Sequence, residues 1–255
     1  RAGIAVVVGE AAARLDHPHI VPVYEAGLHD GQHFLAMRFM PGGTLAQWAQ
    51  GRPIDPRRAA EIMRLLAQAI AYAHQHGVLH RDLKPGNVLL DENGEPHLAD
   101  FGLARLSELE GGITLTSAIL GTAPYMPPEQ AAGGVGAATT AGDIYGLGAV
   151  LYEMLTGHPP FTGASVAEIL RKVREEEPAA PLARRSEEGR GRRAEGRGQK
   201  SEVGVQKPGG GSREAQGPRS VVCGPWSRLS DLQTICLKCL EKEPAKRYAT
   251  ARDLA

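Results

Sequence analysis

The sequence predicts an α+β fold, with strands near the amino end and a mainly helical body after them. Strand-like runs at residues 20–24 and 33–39 come first. Segments with apolar residues at helical spacing dominate from residue 55 onward. Apolar residues make up 42% of the chain, enough to bury a core.

Residues 10–15 read as the end of a helix that stops before Pro18, because proline restricts the residue ahead of it. A turn at His29, Asp30 and Gly31 joins the two strands. Pro41, Gly42 and Gly43 break the pattern, and Thr44 caps a short helix reaching Gln50. Asp55 followed by Pro56 is an N-cap with proline at the first helical position. Ile62, Leu65, Leu66, Ala69, Ile70 and Ala73 share one face of that helix, which runs to His76 and ends at Gly77. Residues 88–90 and 97–99 are short strands around the turn Glu92, Asn93, Gly94. An irregular stretch follows to about residue 139. Residues 140–156 form an apolar helix closed by Gly157, and residues 165–174 form another. Ser230 caps a helix reaching Leu240, and a last helix starts near Thr250.

Lys and Arg together equal Asp and Glu, 29 against 29, so the chain has no net charge. That balance hides two unlike parts. Residues 184–219 carry ten basic and five acidic side chains, nine glycines and no aromatic residue. Such a stretch buries too little surface to offset its ordering entropy, so an insertion at about 183–225 is expected to be disordered. Without aromatic side chains for stacking it makes a poor nucleic-acid arm, and no nucleic-acid partner is expected. Three cysteines make no disulfide framework. Cys236 and Cys239 lie on an apolar helical stripe and lack enough nearby ligands for zinc. No apolar run approaches the ~18 residues of a membrane span. With no signal peptide, this predicts a cytoplasmic chain, any membrane anchor lying outside it.

The chemistry gathers in one loop, His80-Arg81-Asp82-Leu83-Lys84-Pro85-Gly86-Asn87. Asp82 can accept a hydroxyl proton, Lys84 can neutralise a phosphate, and Asn87 offers an amide oxygen suited to a hard cation. Asp100-Phe101-Gly102 follows a strand, and its carboxylate together with Asn87 would complete a magnesium site for a nucleotide phosphate. This spacing, with Pro128-Glu129 further on, is highly specific.

On these residues the chain resembles a Ser/Thr protein kinase of the bacterial type related to eukaryotic kinases. The resemblance covers residues from about 10 to 182 and from about 228 to the end. It implies a protein-kinase-like fold with a mainly helical C-lobe at 41–255. Residues 1–40 would be the remnant of an incomplete, β-rich N-lobe: the end of a helix, two strands and the hinge. It implies ATP and Mg2+ as cofactors and a protein substrate with a Ser or Thr acceptor. Asp82 would orient the acceptor hydroxyl, Lys84 would contact the transferred phosphate, and Asn87 and Asp100 would hold magnesium. Met37 matches the gatekeeper, so the backbone from Arg38 to Met40 would bond adenine and Leu89 would pack beneath it. The segment around Thr114 and Thr116 resembles the activation loop. Phosphate there would pair with Arg81, with self-association for trans-autophosphorylation. Thr122 matches the substrate-contacting threonine. His80, Arg81, Phe101, Glu129, Asp143 and Arg247 take structural roles: Glu129 pairs with Arg247, and Asp143 bonds the catalytic-loop backbone.

Two family parts do not appear in the sequence. No glycine-rich phosphate loop precedes the first helix, and no matching lysine stands on a strand. Gly134-Val135-Gly136 and Gly189-Arg190-Gly191 do not open a helix after a strand. Val8 falls where the lysine's glutamate partner belongs, and Glu10, two residues on, would face about 200° away on a helix. The expectation is therefore an N-terminally truncated kinase of impaired activity, or alternatively a pseudokinase acting as a protein-binding scaffold.

Overall fold

A computed structural model describes residues 14–29, 32–101, 121–133, 139–183 and 226–255. The expected helix at 10–15, the turn at Asp30 and Gly31, Thr114, Thr116 and the 183–225 insertion lie wholly or largely outside the described residues. The fold is α+β, with two small sheets and a larger helical body.

Strands β1 (Val23–His29) and β2 (Gln32–Met37) pair antiparallel, with Val23 opposite Met37 and His29 opposite Gln32. The first strand therefore starts later than the expected 20–24. Ile20 and Val21 are engaged elsewhere: Ile20 bridges Leu98 in parallel, and the Val21 N–H donates to Leu98 O at 2.8 Å. The second strand stops before Phe39 because the Arg38 N–H turns aside to Pro22 O at 3.0 Å.

Helix α1 (Leu45–Ala49) opens with a capping box, in which Thr44 Oγ1 accepts from Gln47 N and Gln47 Oε1 accepts from Thr44 N. Helix α2 (Pro56–Gln75) is capped by Asp55, whose Oδ1 accepts from the Arg57 and Arg58 N–H groups. Its apolar face, from Ile62 to Ala73, is buried. Strands β3 (Val88–Leu90) and β4 (Pro96–Leu98) form a hairpin. The stretch expected to be irregular contains a short helix, α3 (Pro128–Ala131).

Helix α4 (Thr140–Thr156) is the axis of the body. Nearly every residue from Gly142 to Thr156 is buried, as an all-round apolar helix requires. Helices α2 and α6 (Trp226–Cys239) both pack on it and also touch each other. Two glycines permit the close approach. A Cβ on Gly146 would lie 2.7 Å from Leu83 Cβ, and one on Gly148 would lie 2.4 Å from Cys239 Cβ. Cys236 and Cys239 are buried thiols, and Cys236 Sγ donates to Gly148 O at 3.4 Å.

Helix α5 (Val166–Glu175) is capped by Ser165 and packs Ile169 and Val173 against Phe161 and Ala123. Helix α6 begins at Trp226 rather than at the expected Ser230. Ser230 is exposed inside the helix, and its carbonyl accepts from Thr234 Oγ1 at 3.0 Å. The Leu182 N–H donates to Gln233 Oε1 at 2.9 Å, joining the chain ahead of the insertion to the helix after it. The expected final helix is a single 3-10 turn, Ala251–Leu254, capped by Thr250. Among the described residues no helix is long and apolar enough to cross a membrane.

Candidate active site

The site is built on the loop between α2 and β3. Gly77 ends the helix with φ at 73°, and the chain turns into Val78 to Lys84. A 3-10 turn, Pro85–Asn87, then delivers β3. Asp143, in the first turn of α4, carries this loop. Its Oδ2 accepts from the His80 N–H at 2.9 Å and its Oδ1 from the Arg81 N–H at 2.8 Å. Arg81 has φ at 71°, a left-handed conformation that costs a non-glycine residue about 1–2 kcal/mol. The two bonds from Asp143 hold it there.

Asp82 sits in a closed set of hydrogen bonds. Its Oδ2 accepts from Lys84 Nζ at 2.7 Å and from Asn87 Nδ2 at 3.0 Å. Its Oδ1 accepts from Thr122 Oγ1 at 3.1 Å. Lys84 Nζ also donates to Thr122 Oγ1 at 2.9 Å. The carboxylate thus faces one ammonium and one hydroxyl on a half-open surface. A second hydroxyl brought to the place of Thr122 would meet the same acceptor and the same cation.

Asn87 is buried, and its amide nitrogen is spent on Asp82 O at 2.8 Å as well as on the Asp82 carboxylate. The Ala99 N–H donates to Asn87 O at 3.0 Å, which places Asp100 beside it. Asp100 also has a positive φ, 62°. Burial, and then the nearby Asp82, push its carboxyl above the usual range, while His80 and Lys84 oppose the shift. It has no ion-pair partner among the described residues. A half-buried carboxylate without a counter-ion is costly, and a carboxylate and an amide oxygen are hard donors of the kind that Mg2+ takes. The residues present fit that ion.

His80 is fully buried, with its ring 4.6 Å from that of Phe101. Burial keeps its imidazole below the ordinary value, against the pull of Asp143, Asp82 and Asp100. On the other side of β3 and β4, Val21, Met40 and Ala99 form a small buried cluster with Met37 and Leu89 packed on it. Arg38 donates its N–H to Pro22 O at 3.0 Å, and Met40 O accepts from the Gly43 N–H at 3.5 Å. Gly42 is required there, because a Cβ would lie 2.7 Å from both Leu90 O and Asp91 O.

Glu129 and Arg247 meet away from this loop. Arg247 donates to both Glu129 oxygens at 2.8 Å, to Ala141 O and Glu241 O at 2.8 Å, and to Lys242 O at 3.1 Å. The loop, hinge-edge and Asp143 residues expected from the sequence are brought together, whereas this pair stands apart.

Two features escape the sequence reading. His74 Nε2 lies 2.7 Å from Asp143 Oδ2. Tyr125 OH donates to Glu153 Oε2 at 2.5 Å, and burial pushes both groups up. The signal for the second was Glu153 itself, one carboxylate in an apolar helix.

Residues 9–255 match the family model of the protein kinase domain. The chain is 42% identical over 174 residues to the serine/threonine-protein kinase PrkC of Bacillus subtilis, covering 67% of this chain and 26% of that protein. It is 41% identical over 182 residues to PknB of Mycolicibacterium smegmatis, covering 69% and 29%. It is 33% identical over 249 residues to PknB of Mycobacterium tuberculosis, covering 95% and 33%. The chain thus spans about a quarter to a third of the length of these relatives.

Proposed function

Because the chain belongs to the protein kinase family, among the bacterial serine/threonine kinases related to those of eukaryotes, we propose that it transfers the γ-phosphate of ATP to a Ser or Thr hydroxyl of a protein. The observation that carries this reading is the Asp82, Lys84, Thr122 and Asn87 constellation, which holds the Thr122 hydroxyl between a carboxylate and an ammonium that an acceptor hydroxyl would meet in the same way. The acceptor oxygen attacks the γ-phosphorus, its proton passes to Asp82, and the bond to the leaving ADP oxygen breaks. Lys84 offsets the charge of the group in transit. Asn87 and Asp100 would hold magnesium, which when bound neutralises phosphate charge. The carbonyl of Arg38 and the N–H of Met40 would meet adenine, over Leu89.

Residues 1–40 belong, in this reading, to the ATP-covering lobe, and 41–255 to the substrate lobe. Thr114 and Thr116 are phosphate acceptors whose modification would pair with Arg81, in a trans reaction between two copies. The 255-residue chain by itself transfers slowly, because its sequence offers neither the glycine-rich loop nor the lysine that pairs with the phosphates. Removing one preorganised charge stabiliser costs about 10²–10³ in rate.

The test is radiolabel transfer to a mixed Ser/Thr protein substrate by the chain and by Asp82→Asn, with melting curves in ATP and Mg2+. Weak transfer that needs Asp82, with a raised melting temperature, is the expected result. No transfer and no nucleotide shift would assign the chain to a protein-binding role instead.

A further inference from the structure

We propose that the turn from His17 to Ile20 is a pH-sensitive latch, which fastens the chain leading into β1 to strand β4 and is released when His17 takes up a proton. The latch geometry is independent of the kinase reading. The His19 N–H donates to His17 Nδ1 at 3.1 Å, so this ring nitrogen is unprotonated in the closed turn. The Ile20 N–H closes the same turn on His17 O at 3.0 Å. The turn presents the chain to β4. The Leu98 N–H donates to His19 O at 2.9 Å, and the Val21 N–H donates to Leu98 O at 2.8 Å. His17 is half-buried, so protons reach its ring from solvent.

A proton on Nδ1 turns this acceptor into a donor. The His19 N–H then faces another N–H, and the bond between them is lost. The new charge also enters a crowded set of imidazoles. The His19 ring lies 5.9 Å from that of His17, and its Nδ1 carries a proton because it bonds Pro96 O at 2.9 Å. The His97 ring lies 5.7 Å beyond, buried and with neither nitrogen hydrogen-bonded. From α2, Tyr72 sits 5.2 Å from the His17 ring, with His76 on its far side at 4.2 Å. Asp16 is exposed and adjoins His17 in the chain. Arg38, following β2, adds positive charge near His97. In the hairpin, Asp91 Oδ2 lies 3.7 Å from His97 Nε2, so this carboxylate serves His97. Burial, and then His19, hold the His17 imidazole below its ordinary value. The unfolded chain therefore takes up this proton first. The closed turn is favoured fully above about pH 6.5 and is lost as pH falls towards the folded value. In the kinase reading, this seam joins the ATP-covering segment to the substrate lobe.

The test is amide hydrogen exchange of the 255-residue chain at about pH 7.5 and about pH 5, either side of histidine titration. Rates are expressed as protection factors, which divide out the pH dependence of exchange chemistry itself. Protection at His19, Val21 and Leu98 should fall about tenfold in the parent, as loss of a hydrogen bond to a part-buried amide implies. Amides in the middle of α4 should keep theirs. His17→Asn places an amide oxygen near the position of Nδ1 and does not titrate, so its protection should stay within about threefold across the range. His17→Ala has no acceptor and should be poorly protected at both pH values. His97→Gln should retain the parent's fall. Constant protection in the parent would overturn the proposal, as would an equal fall in the middle of α4. So would a fall in His17→Asn as large as in the parent, or parent-like protection of His17→Ala at neutral pH. Loss of the pH response in His97→Gln would move the trigger to His97 and overturn it too. If His17→Asn does not fold, the parent decides alone. The ring-proton shifts of His17, followed by NMR, should then titrate within about half a pH unit of the midpoint for loss of protection, and a larger difference refutes the latch.

Discussion

Arg247→Met should be among the most damaging single changes in the helical body. The Arg247 side chain is fully buried, and Glu129 keeps only 20% exposure. Two parallel bonds at 2.8 Å join the fork to the carboxylate. Three carbonyls, of Ala141, Glu241 and Lys242, take its remaining donors. The guanidinium also lies over Tyr145, 5.1 Å from the ring centre. Methionine fills much of the volume but makes none of these bonds, so a half-buried charge and three carbonyls lose their partner. Breaking a buried pair by removing one member costs about 3–5 kcal/mol. In a domain of this size each kcal/mol moves the midpoint about 2–4 °C, so thermal unfolding should fall by about 6–20 °C. Arg247→Lys should recover little, because a single ammonium cannot span both carboxylate oxygens and the carbonyls. Adding Glu129→Gln to Arg247→Met should restore part of the loss, since no uncompensated charge then remains. Circular dichroism melts of the parent, the two Arg247 variants, Glu129→Gln and the double variant measure this. A midpoint within about 3 °C of the parent for Arg247→Met, or strict additivity in the double variant, would refute the reasoning.

Asp82→Asn should lower phosphate transfer by about 10²–10⁴, the range of a general base, with the melting curve little changed; equal rates would remove Asp82 from the chemistry. Gly148→Ala should destabilise by about 1–3 kcal/mol in urea unfolding, against the gain of about 1 kcal/mol that the exchange gives in an open helix, because its Cβ would meet Cys239 at 2.4 Å. A neutral or stabilising result would contradict that packing. His97 is buried, and burial, opposed by Asp91 and reinforced by His19 and Arg38, holds it below its ordinary value. The unfolded chain therefore takes up this proton first, so the stability it contributes is complete above about pH 6.5 and declines as pH falls towards the folded value. His97→Gln should flatten the fall in stability between pH 6.5 and 5.5 by up to about 1.4 kcal/mol per pH unit, and parallel parent and variant curves would exclude the effect.

Local chemistry in the sequence located much of the fold. Asp55-Pro56, Thr44 and Ser165 mark helix starts because capping is decided by the residue itself and its next three neighbours. The candidate site loop from His80 to Asn87 stood out for the same reason, its residues being consecutive. What was hidden depends on partners far along the chain. Ile20 and Val21 look like strand residues, yet they pair with Leu98 instead of entering β1. Ser230 has the chemistry of a cap, but the turn before it is already helical. His74 reads as an ordinary helix-end histidine until Asp143 is brought to it across the fold. Tyr125 and Glu153 likewise acquire meaning only as a pair.

The bond from Leu182 to Gln233 bears on how freely this chain can change length. It ties together the two ends of the stretch from Ala183 to Trp226. Even for a fully flexible connection, the entropy of closing a loop grows only with the logarithm of its length. Halving or doubling the stretch therefore shifts the cost by about 0.6 kcal/mol. That is small beside the few kcal/mol held at Arg247, which lies downstream of the stretch and reaches back to Glu129 upstream of it. Insertions and deletions between 184 and 225 are thus nearly neutral for the folded body. The anchor residues on either side, Leu182, Gln233, Glu129 and Arg247, do not share that freedom.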